Sequence, residues 1–385
     1  MRIAQLAPLW VEVPPKKYGG TELIASLITE ELVRRGHEVT LFANGESQTK
    51  AKLVSIIDRP LYQVLGGFDF KNITYHLLNA RLCYQFAKEG RFDIVHNHAV
   101  ESLLFAPFSS VPTVTTLHSS IPYDDPALGE VVKDENFVSV SNAQRRNNPQ
   151  FNYVATVYHG IEVEKFEFNP SPKDYLFYLG TIWPLKGVDV AVEVARRTGR
   201  TLIMAGDIRS DEETKRVAEK GKIVLPDEVT EAPFIKGFVK PRLTCDLTRK
   251  EVTDSVLKEV KEIKKGIVLL PELNFSQKVS LYKDAYAFVF PIRWNEAFGL
   301  VVPEAMACGT PVVAFDNGAV PEVVDDGVTG FVVESGDEKG LAKAVAQAGR
   351  LNREKIRKVA EEKFSVKRMV DNYEKVYKKI LERDV

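Results

Sequence analysis

The chain has 385 residues, which is more than one hydrophobic core usually serves, so its length predicts two domains. Its 52 basic and 53 acidic side chains nearly cancel, which excludes the electrostatic footprint of a nucleic-acid-binding protein and strong attraction to an anionic membrane. The three cysteines (Cys83, Cys245 and Cys308) have no C-x-x-C spacing, which argues against a disulfide framework or a structural zinc site.

The N-terminal segment MRIAQLAPLWVEVPP is apolar only as far as Val11 and contains three prolines. A signal peptide or a membrane span needs a longer unbroken apolar run, so neither is predicted here. Together with the cysteine pattern, this favours a protein of the reducing cytoplasm.

Short β-rich runs alternate with helical patterns in two series along the chain. The first series is RIAQLA (2–7), EVTLFA (38–43), FDIVHNH (92–98), PTVTTLH (112–118), NFVSV (136–140) and YVATVYH (153–159). The second is YLFYLG (175–180), TLIMAG (201–206), GIVLLP (266–271), YAFVFP (286–291), TPVVAF (310–315) and GFVVE (330–334). Alternation of this kind is typical of βαβ units, so we predict an α/β protein with two doubly wound domains.

Composition shifts suggest where these domains begin and end. Two prolines interrupt the pattern in FEFNPSPKD (166–174), which predicts a first domain at 1–167 and a second at 168–363. Residues 208–265 are more charged and less regular, and we interpret them as an elaboration of the second domain that contains one amphipathic helix. Residues 364–385 carry a helical apolar stripe that must pack on another surface.

The segment NEAFGLVVPEAMACGTPVVAF (295–315) holds two carboxylates, Glu296 and Glu304, around a helix predicted from Gly299 to Cys308. The free N–H groups of residues 298–301 would lie between them and attract an anion. The carboxylates would accept hydrogen bonds from hydroxyls on either side, and a nucleotide sugar has hydroxyls at both ends and phosphates between. In the alternative interpretation, the two acids only favour the helix dipole and Gly299 is a turn residue.

This segment also resembles the E-x7-E signature of the retaining glycosyltransferases of family 4, which have the GT-B fold of two Rossmann-like domains facing across a cleft. The resemblance covers nearly the whole chain except about 208–265. It implies that Glu296 contacts hydroxyls of the donor sugar and that Glu304 contacts the ribose. The backbone after the first glutamate would meet the sugar and the diphosphate, at Ala297, Phe298, Gly299, Leu300 and Val301.

The resemblance also implies roles for the two ends of the chain. The first domain would bind the acceptor, the second would bind the nucleotide-sugar donor, and the C-terminal helix would cross back to pack on the first domain. Gly19 and Gly20 precede an amphipathic helix in PPKKYGGTELIASLITEELVRRGHEVTLFA (14–43), a pattern that by itself indicates only a turn. In this family they would let the loop approach the donor phosphate and the acceptor.

The segment YLGTIWPLKGVDVAVEVA (178–195) resembles the family pattern G-R-x-x-x-x-K-G, in which an Arg and a Lys neutralise the leaving diphosphate. Lys186 and Gly187 match this pattern, whereas Thr181 occupies the Arg position. Lys186 would therefore be the main cation on the leaving group. We hypothesise that Arg293 or Arg209 supplies the second positive charge.

Three histidines end two strands of the first domain. His96 and His98 alternate along one strand and so point to the same face, as in the metal sites of some hydrolases. That alternative, a metal-dependent hydrolase using His96, His98 and His118, lacks further predicted ligands, and hydrogen-bonded structural imidazoles are a third interpretation. His118 in TLHSS resembles the family histidine that approaches the donor sugar, while His37, His76 and His159 are predicted to lie in unrelated settings.

These observations predict an enzyme that moves a hexose from a UDP-glucose or GDP-mannose type of donor to an acceptor hydroxyl with retention. The resemblance implies catalytic roles for Lys186, Glu296 and His118. Because no D-x-D triplet is present, we expect no metal and no other cofactor. The alternatives are a GT-B nucleotide-sugar epimerase and a non-catalytic nucleotide-sugar-binding protein.

The sequence is less informative about the substrates themselves. PELNF (271–275) is expected to run near the base, and the loops at 8–20, 58–75 and 119–130 would shape the acceptor site without a diagnostic pattern. Peripheral membrane association occurs in the family, but the chain has no strongly basic amphipathic stretch that would favour it. The partners expected are therefore a nucleotide sugar and a hydroxyl-bearing acceptor such as a carbohydrate, with no nucleic acid.

Overall fold

The structure, a computed structural model, describes residues 1–16, 19–65, 70–119, 126–182, 184–206, 223–224, 266–270 and 272–382. The chain forms two compact units, Met1–Ile161 with Lys363–Val385, and Glu162–Glu362. The first unit ends at Ile161 and not at the predicted residue 167, because Arg357 of the second unit binds the carbonyl oxygens of Val163 and Phe166. Apart from 223–224, the predicted elaboration at 208–265 lies outside the described residues, and Cys245 and Arg209 lie outside them too.

The first unit contains one parallel sheet of seven strands in the order β3-β2-β1-β4-β5-β6-β7. Its strands are β1 (Arg2–Leu6), β2 (Glu38–Phe42), β3 (Lys52–Val54), β4 (Ile94–Asn97), β5 (Thr113–Leu117), β6 (Asn136–Ser139) and β7 (Tyr153–Thr156). All of them except the short edge strand β3 were predicted from the sequence. β4 and β5 are buried along their whole length, as expected for central strands covered on both faces.

The second unit also contains a parallel sheet of seven strands, in the order β10-β11-β9-β8-β12-β13-β14. Its strands are β8 (Tyr175–Leu179), β9 (Thr201–Ala205), β10 (Ile223–Val224), β11 (Ile267–Leu270), β12 (Ala287–Phe290), β13 (Val312–Phe315) and β14 (Gly330–Val333). Each unit is therefore an α/β layer structure of the predicted class.

Helices connect most of the successive described strands, as parallel pairing favours, whereas residues 43–51 join β2 to β3 without a helix. In chain order the α-helices are α1 (Gly20–Arg34), α2 (Leu61–Leu65), α3 (Phe70–Lys88), α4 (Pro126–Val132), α5 (Asn142–Arg145), α6 (Val188–Thr198), α7 (Phe275–Asp284), α8 (Val301–Ala307), α9 (Val320–Val323), α10 (Glu338–Ala348), α11 (Arg353–Phe364) and α12 (Val366–Leu381). Short 3₁₀ helices cover Val100–Phe108, Val163–Lys165 and Pro184–Lys186. Among the described helices, none combines the length and apolarity needed to cross a bilayer.

The strand order reverses at the middle of each sheet, in addition to the exchange of β10 and β11 at the edge of the second, and these central reversals position the candidate site. In the first unit the order turns between β1 and β4, and in the second between β8 and β12. Loops that follow the two strands at such a point diverge to opposite faces and leave a crevice at the carboxyl edge of the sheet.

The C-terminal helix α12 packs within the first unit, against α1. The side chain of Ser365 caps it by accepting from the N–H of Arg368, at 3.3 Å. The apolar stripe noted in the sequence is buried at Met369, Val370, Tyr373, Val376, Tyr377 and Ile380. Burial of that stripe, and not helix propensity alone, holds the helix in place.

Arg35 links α1 to α12 through a partly buried charge network. Its guanidinium donates to Asp371 Oδ1 at 2.7 Å, to Glu374 Oε2 at 2.8 Å and to Glu31 Oε1 at 2.8 Å. The side chain is only 14% exposed, so solvent screens these pairs weakly.

We expect Arg35→Gln to lower the free energy of unfolding by about 2 kcal/mol, because it leaves three carboxylates without their shared cation. Arg34→Gln is the matched control, since Arg34 also pairs with Glu31 but is 67% exposed, so solvent screens its pair and its loss should be much smaller. Urea unfolding of both variants tests this. Equal losses in the two variants would contradict the assignment.

Candidate functional site

The loops that follow β8 and β12 bring two of the predicted site residues together. Lys186 Nζ lies 3.3 Å from Glu296 Oε2, and Trp294 Nε1 donates to the same oxygen at 2.9 Å. The Lys186 ammonium also lies 4.0 Å from the centroid of the Trp294 ring, a cation–π distance. Lys186 and Glu296 are 19% and 16% exposed, so this group is pre-positioned but reachable.

Close backbone contact sets the spacing of these two loops. Gly187 has a φ of 72°, and a Cβ atom there would overlap the carbonyl oxygen of Pro291. The N–H of Arg293 donates to the carbonyl oxygen of Leu185 at 2.9 Å. Gly187 therefore allows the two loops to approach each other closely, which accounts physically for the Lys-Gly pair in the sequence.

The turn after β13 holds the backbone of Glu296. Ala319 N–H donates to the Glu296 carbonyl oxygen at 2.8 Å, and Asn317 Nδ2 donates to the carbonyl oxygen of Ile292 at 2.6 Å. Gly318 lies between them with a φ of 60°, and a Cβ atom there would overlap the backbone of Glu296. Sequence reasoning missed this turn, although an Asn-Gly pair directly after a strand is a turn signal.

The helix after Glu296 begins later than predicted. Gly299 has a φ of 81°, which is left-handed, so α8 starts at Val301 and not at Gly299. The amides of Val302 and Glu304 already donate to the carbonyl oxygens of Gly299 and Leu300. The predicted ligand contact therefore concerns the amides before Val302. Phe298 is buried, so its side chain anchors the loop.

Glu304 lies on α8 and is 4% exposed. Its Oε1 pairs with Lys278 Nζ at 2.5 Å, and its Oε2 accepts from the Tyr282 hydroxyl at 3.3 Å. Both partners lie on α7, one turn apart. Burial, with the charge of Glu304, raises the pKa of Tyr282 well above its usual value, so the phenol stays a hydrogen-bond donor.

Lys278 was not identified from the sequence, and its position changes the charge balance of the site. Each predicted carboxylate is paired with a lysine, Glu296 with Lys186 and Glu304 with Lys278. Oε1 of Glu296 has no hydrogen-bond partner in the part of the chain that the structure describes. The arrangement thus offers acceptors for hydroxyls and cations for an anion without a net negative charge.

Arg293 lies near this group but is already engaged. Its Nη2 donates to Asp189 Oδ2 at 2.8 Å, and its side chain is 36% exposed. The carbonyl oxygen of Thr181, at the position of the family Arg, accepts from the Tyr178 hydroxyl at 3.0 Å. Arg293 would have to exchange Asp189 for a ligand before it could supply the second charge.

In the first unit, Gly19 and Gly20 form the junction between the loop after β1 and α1. Gly19 has a φ of 153°, and a Cβ atom there would lie 2.8 Å from side-chain atoms of Pro15 and Val11. Glu22 in the first turn of α1 is buried, and this burial raises its pKa to about 7 although backbone N–H groups of Glu22 and Val11 oppose the shift. The glycine pair is therefore a tight turn with a buried acid beneath it.

Four histidines of the first unit form a continuous buried group. His98 Nδ1 lies 2.9 Å from His118 Nε2, and the rings of His96 and His98 are 4.1 Å apart. His159 stacks on His118 at 5.2 Å, so the prediction that it lies in an unrelated setting was wrong. Because β7 ends on the same sheet edge as β4 and β5, the chain that follows it can reach His118.

This histidine group is arranged for hydrogen bonding and not for a metal. Within the described ranges, no three His, Cys, Asp or Glu side chains are placed to hold a metal ion. Burial lowers the pKa of His118 to about 3 and the pKa values of His96, His98 and His159 well below their usual value. The rings are therefore neutral at pH 7. The hydrolase alternative lacks support because the described residues contain no three-ligand cluster, and not because of this neutrality.

Two family models match the sequence. The model described as "Glycosyltransferase Family 4" matches residues 18–165, and the model described as "Glycosyl transferases group 1" matches residues 252–363. The first match includes His118 and the glycine pair, and the second includes Glu296, Glu304 and Lys278.

Individual relatives are similar over most of the chain. The D-inositol 3-phosphate glycosyltransferase of Saccharomonospora viridis is 27% identical over 377 residues, with 86% of this chain and 81% of the relative covered. The phosphatidyl-myo-inositol mannosyltransferase of Mycolicibacterium smegmatis is 26% identical, with 90% and 84% covered. Among solved structures, Anabaena HepE in complex with UDP-glucose has a TM-score of 0.66 at 18% identity, with 98% of this chain and 100% of HepE covered, which shows a shared fold.

We expect Gly318→Ala to loosen the Glu296 loop, because the added Cβ would push the Glu296 backbone away from Ala319. Gly327→Ala is the matched control, since Gly327 also has a left-handed φ, of 70°, but no atom lies within 4 Å of its Cβ position. Both variants should lose about 1 kcal/mol of stability through backbone strain, and Gly318→Ala should lose more because its Cβ would also overlap the Glu296 backbone. Only Gly318→Ala should speed hydrogen exchange at the Ala319 amide, and equal protection of that amide in the two variants would refute the contact.

Acidification should destabilise the fold through the buried histidines. Because burial lowers their pKa values below the usual 6.5, the unfolded chain binds protons that the folded chain does not. This stability is present above pH 6.5 and is lost as pH falls below it, by roughly 1.4 kcal/mol per pH unit for each histidine. Glu22 acts in the opposite direction between about pH 4.5 and 7, because its pKa is raised on folding.

Urea unfolding at pH 7.5, 6 and 5 measures this slope. His159→Phe keeps an aromatic ring on His118 but removes one titrating group. The dependence of the free energy of unfolding on pH should therefore fall by up to the contribution of one histidine. Thr116→Val removes a hydroxyl from the same buried region and no titrating group, so it should keep the wild-type slope. A pH-independent free energy of unfolding in the wild type would contradict the burial argument.

Proposed function

Because the chain belongs to the family 4 glycosyltransferases, we propose that it transfers a hexose from a nucleotide diphosphate sugar to an acceptor hydroxyl, with retention and without a metal ion. Its two parallel-sheet units fit the GT-B fold of such enzymes. The observation that carries the proposal is the pair of lysine–glutamate contacts, Lys186 with Glu296 and Lys278 with Glu304, at one sheet edge.

The two contacts suit the two ends of such a donor. Oε1 of Glu296 would accept hydroxyls of the hexose, and Lys186 beside it would bind the diphosphate. The Glu304 carboxylate, oriented by Lys278 and Tyr282, would accept the ribose hydroxyls. Phe275, 45% exposed, has its ring 5.5 Å from Lys278 Nζ and offers an apolar face to the base.

Catalysis would consist mainly of stabilising the leaving group. Negative charge grows on the diphosphate as the glycosidic bond breaks, and a cation already held by Glu296 and Trp294 needs little reorganisation to meet it. Backbone N–H groups of residues 297–301 would add hydrogen bonds to the same charge. The acceptor hydroxyl would attack from the face that the diphosphate leaves, and no side chain is proposed as a nucleophile.

Relatives and neighbours suggest the substrate classes. The names of two relatives indicate D-inositol 3-phosphate and phosphatidyl-myo-inositol as their acceptors, and the HepE complex contains UDP-glucose. We therefore propose a UDP-glucose or GDP-mannose type of donor and a polyol or carbohydrate acceptor that binds to the first unit. Cys83 and Cys308 are buried and free, which fits the cytoplasmic location proposed.

A thermal-shift screen tests the donor part of this function. The purified chain is measured with UDP, GDP, ADP and their glucose and mannose conjugates, with and without EDTA. One nucleotide family should raise the unfolding temperature, EDTA should not change the shift, and Glu304→Gln should weaken binding by about 10-fold, since one lost hydrogen bond at a buried carboxylate is worth about 1.4 kcal/mol.

The control separates ligand binding from the helix-dipole interpretation. Glu338 also lies in the first turn of a helix, α10, but is only partly buried and lies away from the predicted site residues, so Glu338→Gln should leave the shift unchanged. Release of nucleoside diphosphate should require an added acceptor. An altered donor formed without acceptor would favour an epimerase, and the absence of any nucleotide shift would refute the proposal.

A further inference from the structure

We propose that Gln5 and His98 are positioning residues that hold His118 with its hydrogen on Nε2, so that Nδ1 offers a lone pair to a substrate hydroxyl. The proposal rests on the transferase function above and adds two residues to it. Gln5 carries no motif that marks it in the sequence, and the sequence marks His98 only as a candidate metal ligand.

The three side chains lie on neighbouring strands of the first sheet. Gln5 is on β1, His98 follows β4 and His118 follows β5, in the spatial order β1-β4-β5. Gln5 Oε1 lies 2.8 Å from His98 Nε2, and His98 Nδ1 lies 2.9 Å from His118 Nε2. Gln5 is fully buried and His98 is 3% exposed, so water does not compete for these bonds.

The direction of these hydrogen bonds follows from the chemistry of the groups. A carbonyl oxygen only accepts, so His98 Nε2 must carry a hydrogen. A neutral imidazole has one N–H, so His98 Nδ1 accepts and His118 Nε2 donates. Burial lowers the pKa values of both rings far enough that the neutral forms dominate at pH 7.

The other end of the Gln5 amide is held as well. Its Nε2 lies 3.4 Å from both His96 Nδ1 and the Tyr377 hydroxyl. That hydroxyl lies 2.7 Å from His96 Nδ1, and His96 Nε2 lies 2.8 Å from Thr116 Oγ1. If His96 Nε2 donates to Thr116, the Tyr377 hydroxyl donates its hydrogen to His96 Nδ1 and its oxygen accepts from Gln5 Nε2, which leaves the Gln5 carbonyl oxygen for His98. Tyr377 belongs to α12, so the C-terminal helix takes part in this orientation.

The ring nitrogen at the end of this hydrogen-bonded series, His118 Nδ1, indicates a ligand. His118 Nδ1 is buried and has no hydrogen-bond partner among the described residues. A network that served only to satisfy buried polar groups would be expected to pair this atom too. As an unprotonated nitrogen, it can accept from a hydroxyl but cannot donate to a phosphate. The group it recognises is therefore a hydroxyl of the sugar or of the acceptor.

Nuclear magnetic resonance on the full chain with ¹⁵N-labelled histidine tests the tautomer directly. Long-range ¹H–¹⁵N correlations distinguish the protonated ring nitrogen from the bare one, and loss of signals in His118→Gln assigns them. From pH 6 to 8 the wild type should show His118 neutral with its hydrogen on Nε2. A hydrogen on Nδ1 in the wild type would overturn the proposal.

Two variants separate positioning from stability. Gln5→Met removes the acceptor and should mix the two His118 tautomers, and it should lower kcat by roughly 10-fold or more while the donor KM stays within about 2-fold. Thr113→Val removes a buried hydroxyl from the start of β5, where it contacts Tyr84 and not the histidines, and should leave the tautomer and kcat unchanged. A Gln5→Met variant with the wild-type tautomer and kcat would also overturn the proposal.

The readouts distinguish this inference from the function on which it rests. If the function is wrong, no nucleotide will shift the unfolding temperature of the wild type, whatever the histidine spectrum shows. If only the inference is wrong, the nucleotide shift and transfer will remain while the spectrum shows a hydrogen on Nδ1.

Discussion

The site depends on one constraint of parallel sheets: every strand runs in the same direction, so all the loops that follow strands gather at one edge. Lys186 and Glu296 are 110 positions apart in sequence and 3.3 Å apart in space because β8 and β12 are neighbours where the strand order reverses. The glycines at 187 and 318 allow the backbones to approach closely enough to keep this distance. The chemistry proposed here would be lost if either loop moved by about the length of one hydrogen bond.

Charge pairing is the second feature that organises the site. A buried carboxylate alone would repel a diphosphate, and a buried ammonium alone would be costly to desolvate. The contacts of Lys186 with Glu296 and of Lys278 with Glu304 reduce both costs and orient the carboxylate oxygens. Each pair can then offer a hydroxyl acceptor and an anion-binding cation at the same point, which matches the alternating chemistry of a nucleotide sugar.

The first unit uses neutral groups instead of charges. Its histidines are buried deeply enough to lose their charge, so hydrogen-bond direction and not electrostatic attraction determines what they bind. Hydrogen bonds of Gln5 and His96 with Tyr377 link the orientation of these groups to the packing of the C-terminal helix. This helix therefore contributes both buried apolar surface and an oriented hydroxyl.

The sequence by itself determined the α/β class, nearly all strand positions and the Glu296, Glu304 and Lys186 motifs, because these are carried by local periodicity and by short spacings. It did not determine the later start of α8, which depends on the left-handed Gly299, or the first unit's end at Ile161, which depends on Arg357. The pairing of Lys278 with Glu304, the contact of the Gly318 turn with Glu296 and the approach of His159 to His118 were decided only by the tertiary structure, although the Asn-Gly pair itself is a local turn signal. Each of these is a contact between segments far apart in sequence, and no local pattern encodes such a distance.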